Sequence, residues 1–153
     1  MALKIIQFLN LLAYGFVASQ AMFYLLAMSK TQKSMRPASY TELRNLLDNN
    51  LQVTLRIVYY STLLTSLVWF ICTLPYSGFL LVSSSIALGS FLIDMVLLLT
   101  GDMPINKIIQ TWSPETYPAD WEAYRNRWFF YYHRRQLADL LGFASLLAGA
   151  CFG

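Results

Sequence analysis

Six residues near the C-terminus, Trp121, Arg125, Trp128, Tyr132, Arg135 and Asp139, follow one another at spacings of 4, 3, 4, 3 and 4. On a helix this places them along one face. A stripe of aromatics, arginines and an acid does not suit a lipid-facing surface, so the face is expected to turn toward a protein interior. Arg135 and Asp139 stand at i and i+4 and can pair directly. Asp94 is the only ionisable residue in the long apolar run 79–100. Ionisable groups in such runs are costly, and each is a functional hypothesis by default. Asp94, Asn106, Arg125, Trp128, His133 and Arg135 are expected at one depth near a membrane surface, where they can form a site. The structural alternative is that Arg135 and Asp139 neutralise each other, that Asp94 caps or pairs with Arg56 or Arg125, and that the aromatics form an interfacial belt.

Other chemistries find little support. His133 is the single histidine, too few for bis-histidine haem or a histidine-rich metal site. A carboxylate-rich metal site from Asp94, Asp102 and His133 has no recognisable spacing, so no metal and no cofactor is expected. Phosphate-binding loops, dinucleotide-binding glycine patterns and nucleophile elbows are missing. The two cysteines, Cys72 and Cys151, form no C-x-x-C pair. They are expected as small buried apolar residues, with a disulfide between them as the alternative.

The elements that must position these residues are long apolar helices. The first run, 5–28, would rise about 36 Å as a helix, enough to cross a hydrocarbon core of about 30 Å. A signal peptide is the rival reading, with Lys4 as its basic end and Ser19-Gln20-Ala21 as a weak cleavage site. The apolar run continues past that site, which favours an anchor. Gly15-x-x-x-Ser19 lets helices approach closely, and Gln20 beside it can bond across an interface. A polar connector follows, and Ser39 to Glu42 reads as a capping box that opens the next helix. That helix enters the membrane at about 53 and leaves at about 72. The uncharged link 74–78 makes an antiparallel hairpin with the third span, 79–100. Gly101 to Pro104 is expected to break that helix, and 105–112 to form a short interfacial helix bearing Trp112. A long final helix starts near Ala119, and its second part, 136–152, is the fourth span.

Composition agrees. The chain of 153 residues is 57% hydrophobic and 12% charged, about half the charged share of a soluble domain, with a mean hydropathy of +0.47. So small a soluble domain has too little interior to hide that much apolar surface. Of the eleven lysines and arginines, only Lys4 falls outside the connectors between spans one and two and between three and four, or their flanks. By the positive-inside rule those connectors are cytoplasmic and both termini face outward. Basic residues that flank apolar spans are membrane-edge charges, so no nucleic-acid partner is expected.

Met103-Pro104-Ile105-Asn106, then Trp112, Trp121, Arg125, Arg127-Trp128 and His133-Arg134-Arg135, resemble the anthrone oxygenase-like family of small four-helix membrane proteins. The resemblance is clearest over 91–143. Named members of that family oxidise polyketide anthrones with molecular oxygen and no obvious cofactor. The resemblance implies a cytoplasm-facing pocket between the third and fourth spans, lined by Asn106, Trp128, His133 and Arg135. It makes His133 the candidate general base, because histidine titrates near neutral pH. Arg135 or Arg125 would stabilise a developing phenolate or enolate.

The expectation is an all-α, integral membrane, antiparallel four-helix bundle in a single domain, 1–153. Its function is oxidation or binding of a lipophilic aromatic or quinone-like molecule near the cytoplasmic face. Asp94, His133 and Arg135 are the candidate catalytic residues. Asn106, Trp112, Arg125, Trp128 and Tyr132 are the candidate ligand-binding residues. The alternative is a non-catalytic accessory or assembly subunit of a larger membrane complex, or a homo-oligomer.

Overall fold

The computed structural model describes residues 2–153. Four long helices carry the chain: α1 (Ala2–Lys33), α2 (Pro37–Thr73), α3 (Phe79–Ile109) and α4 (Trp121–Phe152). The first three are long and apolar enough to cross a membrane. The charges and polar aromatics in the first half of α4 keep its composition below that level.

The distribution of side chains is inverted relative to a water-soluble bundle. Phe8, Phe16, Val53, Ile57, Leu64, Ile93, Val96 and Leu141 face outward, while Asn10, Thr62, Ser66, Ser83, Ser84, Ser90, Gln136 and Asp139 are buried. In lipid, apolar side chains have no reason to be inside, and small or hydrogen-bonding residues draw the helices together. This is the shape of a multi-pass helical membrane protein.

The helix contacts follow that logic. Between α1 and α2, Ser66 donates to Asn10 Oδ1 at 2.9 Å and Thr62 to the Ala13 carbonyl at 3.2 Å. Tyr14 on α1 donates to the Ala87 carbonyl of α3 at 3.2 Å. The link 74–78 joins α2 to α3, with Thr73 and Ser84 hydroxyls bonded at 2.7 Å behind it. Gly78 takes a φ of 95° there, open to glycine because it lacks a Cβ. Between α3 and α4, Ser145 donates to the Ser83 carbonyl at 3.0 Å. A Cβ at Gly142 would overlap the Tyr14 hydroxyl, so this glycine permits the α1–α4 approach.

Two helices contain a wider, π-type turn. In α3 it spans Leu98–Asp102, where sequence predicts a break. The Met103 amide reaches back to the Leu98 carbonyl, and Pro104, lacking an amide proton, sits in the first turn of the segment Met103–Ile109 that follows. The proline is thus absorbed by a change of helical register, and the chain runs on helically through Ile109. Gly101 lies in the same turn, where a Cβ would overlap the Tyr131 ring. In α1 the π turn is Tyr24–Met28, with the Ser29 amide bonded to the Tyr24 carbonyl.

Other local expectations change. Helix α2 starts at Pro37 with Arg36 extended before it, and no side-chain cap is made. Ser39 is therefore inside the first turn, and the Ser39–Glu42 capping box does not form: proline at the first helical position sets the start. Gln20 does bond across an interface, donating to Tyr132 Oη at 2.8 Å. Gly15 packs against Phe143, while Ser19 bonds its own helix at Phe16. Both cysteines are free thiols; Cys72 is half-buried and Cys151 is exposed rather than buried.

Candidate functional site

Arg135 organises the polar interior. It is buried on α4 and uses its three nitrogens on three partners. Nε donates to Asp94 Oδ1 of α3 at 2.7 Å, Nη2 donates to Tyr59 Oη of α2 at 2.7 Å, and Nη1 bonds Asp102 Oδ2 of the α3 π turn. A planar guanidinium has this fixed fork of donors; an ammonium does not. Two carboxyl groups share one guanidinium, and Tyr59 supplies the neutral third contact.

Two sequence-level pairings are corrected here. Arg135 does not pair with Asp139; both carboxyl oxygens of that buried residue are without a hydrogen-bond partner. The Arg135 nitrogens are instead engaged by Asp94, Asp102 and Tyr59. Asp94 likewise pairs with neither Arg56 nor Arg125; its partner is Arg135.

Beside this cluster is a cavity of about 540 Å³, bounded by all four helices. Phe23, Leu47, Leu51, Leu55, Met95, Leu98, Leu99 and Met103 form an apolar wall. Its polar side carries Gln20, Gln32, Arg44, Tyr59, Asp102, Asn106, Trp128, Tyr132 and Arg135. Arg44 lies 4.3 Å over the Trp128 ring, donates to Asn106 Oδ1 at 2.6 Å and has Asp48 at 3.7 Å. Trp128 stacks on Tyr132 with ring centroids 4.3 Å apart, and Tyr24 meets Tyr132 edge-on. These aromatic contacts make a rigid floor, since such pairs have preferred geometries.

Of the residues singled out by sequence, Arg135, Asn106, Trp128 and Tyr132 share this cavity, and Asp94 holds Arg135 from behind. The other three lie elsewhere. His133 bonds the Phe129 carbonyl through Nδ1 at 2.7 Å and the Ser29 hydroxyl through Nε2 at 2.9 Å. A carbonyl only accepts, so Nδ1 carries a proton; in the neutral ring Nε2 then accepts from Ser29. Arg125 donates to the Lys33 carbonyl at 3.1 Å and lies 4.4 Å over Trp121. Trp112 packs edge-on against Tyr124, and its carbonyl accepts from Asn45 at 3.1 Å. Both contacts tie connectors to helices.

Tyr59 and Arg44 are the residues that sequence reasoning passed over. The signal was present: Arg44, Asp48, Leu51, Leu55 and Tyr59 recur at helical spacing and all line the cavity. Among the described residues no group of three or more His, Cys, Asp or Glu is placed to hold a metal ion. Comparison with protein-family models, curated proteins and solved structures returned no match in any of the three.

Proposed function

We propose that this chain is an antiparallel four-span membrane protein that binds a lipophilic aromatic or quinone-like molecule in the cavity beside Arg135. The supporting observation is the cavity itself: about 540 Å³ with one apolar wall and one side of aromatic and hydrogen-bonding groups. That volume and composition suit a drug-sized ligand held by shape and oriented by a few polar groups. Trp128 and Tyr132 would stack on rings, while Asn106 and Arg135 would meet ligand oxygens. In this reading the charge bias puts the cavity at the cytoplasmic end, both termini face outward, and 136–152 completes the fourth span.

Oxidation of the bound molecule by oxygen is the further step implied by the resemblance to anthrone oxygenases, with His133 as base. His133 lies behind Tyr24, ring centroids 5.8 Å apart, so a proton would have to pass from the cavity through that ring's neighbourhood. Binding is therefore the part of the reading that geometry supports best.

Native mass spectrometry of protein released from gentle detergent tests it. A non-covalent small-molecule adduct is expected, lost when Met95→Trp fills the apolar wall. Equal binding by wild type and Met95→Trp would defeat the cavity assignment. Co-purifying chains in fixed ratio, with no small molecule, would favour the accessory-subunit reading instead.

A further inference from the structure

Two buried arginines line the cavity, and they differ in what they still need. All three nitrogens of Arg135 are engaged, by Asp94, Tyr59 and Asp102. A ligand oxygen meets that guanidinium only by displacing a partner. Arg44 of α2 is nearly as deep, 6% exposed against 4%. Yet among the described residues its side chain makes a single hydrogen bond, from Nη2 to Asn106 Oδ1 at 2.6 Å. Its Nε is buried without a partner. The side chain is not free to swing toward one, because it lies 4.3 Å over the Trp128 ring and is tied to Asn106 of α3.

Charge and hydrogen bonding are separate needs at this position. Asp48, one turn along α2, stands 3.7 Å from Arg44 Nη2, beyond hydrogen-bond length but near enough to answer the charge. The guanidinium therefore has its counter-charge and lacks acceptors for its remaining N–H groups. It can only donate, and a buried donor left unpaired is costly. Asn106 has its amide oxygen on Arg44, and its N–H groups add to the donors beside it. The rest of the wall around these two side chains includes Leu47, Leu51 and Met103. An anion here would have to compete with Asp48. A neutral oxygen acceptor on an apolar body would not.

We propose that Arg44 is the residue that selects the ligand, and that the group it selects is a neutral carbonyl carried on an apolar ring system, with Asn106 as the second donor. This deepens the cavity reading above and rests on it. Arg135 is then a fixed post of the wall, and Arg44 is the donor that reads the ligand. A site that presents hydrogen-bond donors rejects an analogue lacking the acceptor, because the buried donors are then left unpaired.

The test uses the full chain in nanodiscs of neutral lipid and three probes on one fused-ring body: the hydrocarbon, its ketone and its carboxylic acid. Affinities are expressed against the probe concentration in the lipid, so that differences in partitioning drop out. Wild type should bind the ketone about tenfold more tightly than the hydrocarbon, within reach of one hydrogen bond from a charged donor. The acid should bind no more tightly than the ketone. Arg44→Met should remove the ketone's advantage and leave hydrocarbon affinity unchanged, which also reports that the variant is folded. Asp48→Asn, at a half-buried position, removes the counter-charge and keeps the donors. It should raise acid affinity relative to ketone about threefold, the size of one partly exposed charge contact. Equal affinity for ketone and hydrocarbon, an advantage that survives Arg44→Met, or tightest binding of the acid by wild type overturns the carbonyl assignment while leaving the cavity standing. Should Arg44→Met bind no probe, the Asp48→Asn comparison decides, and no gain for the acid there overturns the assignment. If none of the three binds wild type, the cavity reading itself fails.

Discussion

Arg135 on α4 donates from Nε to Oδ1 of Asp94 on α3 at 2.7 Å, and neither side chain is exposed. The same guanidinium holds Tyr59 of α2 and Asp102 one register change further along α3. A single side chain thus fastens three helices at the wall of the cavity. Its energetic weight comes from what is left behind when one partner goes: a buried charge without an answer.

Truncation of that ion pair should therefore be severe. Arg135→Met is expected to cost about 3–5 kcal/mol, the usual size for breaking a buried pair. Arg135→Lys should recover little of this, because the compact ammonium, although it has three donors, lacks the planar spread of a guanidinium that reaches Asp94, Asp102 and Tyr59 at once. Thermal unfolding in detergent reads both effects. A wild-type melting temperature for Arg135→Met would show that the network is dispensable.

Asp139 offers the contrasting case. Its carboxyl oxygens are buried and unpartnered, so no favourable pairing is lost when the acid is replaced. Asp139→Asn should leave stability within about 1 kcal/mol of wild type or raise it, whereas Asp94→Asn should cost several-fold more because Arg135 loses a partner. Equal losses for the two variants would show that Asp139 has a partner of comparable strength.

Gly142→Ala should destabilise by about 1–3 kcal/mol, the cost of forcing atoms into a filled interior. The new methyl would meet the Tyr14 hydroxyl. Tyr14→Phe removes that oxygen and should recover part of the loss in the double variant. Strictly additive effects would mean that the two positions do not touch.

His133→Ala separates binding from chemistry. The imidazole bonds Ser29 and the Phe129 carbonyl and is not on the cavity wall, so ligand affinity should be unchanged and stability should fall by about 1 kcal/mol. If oxygen-dependent turnover is found and survives this change, the base is another residue. Reduced affinity would place the ring closer to the ligand than its contacts indicate.

Cys151 is exposed near the end of α4 and reports orientation. A membrane-impermeant maleimide added to intact cells should label it if the proposed orientation, with both termini outward, is right. Labelling only after permeabilisation would invert the topology. Reducing agents should leave the fold unchanged, since the thiols are free.

Much of the architecture is legible from the chain because the solvent is so selective. Apolar runs of about twenty residues must be helical where water cannot satisfy the backbone, so 5–28, 53–72 and 79–100 announce themselves. The stripe from Trp121 to Asp139 also announces its inward face, and Arg135, Trp128 and Tyr132 do meet at the cavity. Glycine and proline were less legible. Gly101 and Pro104 are strong breakers in a soluble setting, yet here a wider turn absorbs them and the helix continues.

Which charges meet was decided by the tertiary structure. Arg135 and Asp139 are neighbours in helical spacing, but spacing carries no information about the facing helix, and Asp94 and Asp102 are better placed for a three-way fork. His133 shares its depth with Arg135 and yet turns toward Ser29, because residues two apart on a helix point in different directions. Tyr59 and Arg44 joined the cavity only through the packing of α2 on α1 and α3, which sets them across from Arg135 and Trp128 of α4. By itself the sequence determined the helices, their apolar surfaces and the bias of positive charge, all of which follow from local composition and the bilayer. Only the tertiary structure decided which polar groups share the interior, because in lipid the helices are held by specific contacts rather than by the burial of apolar faces.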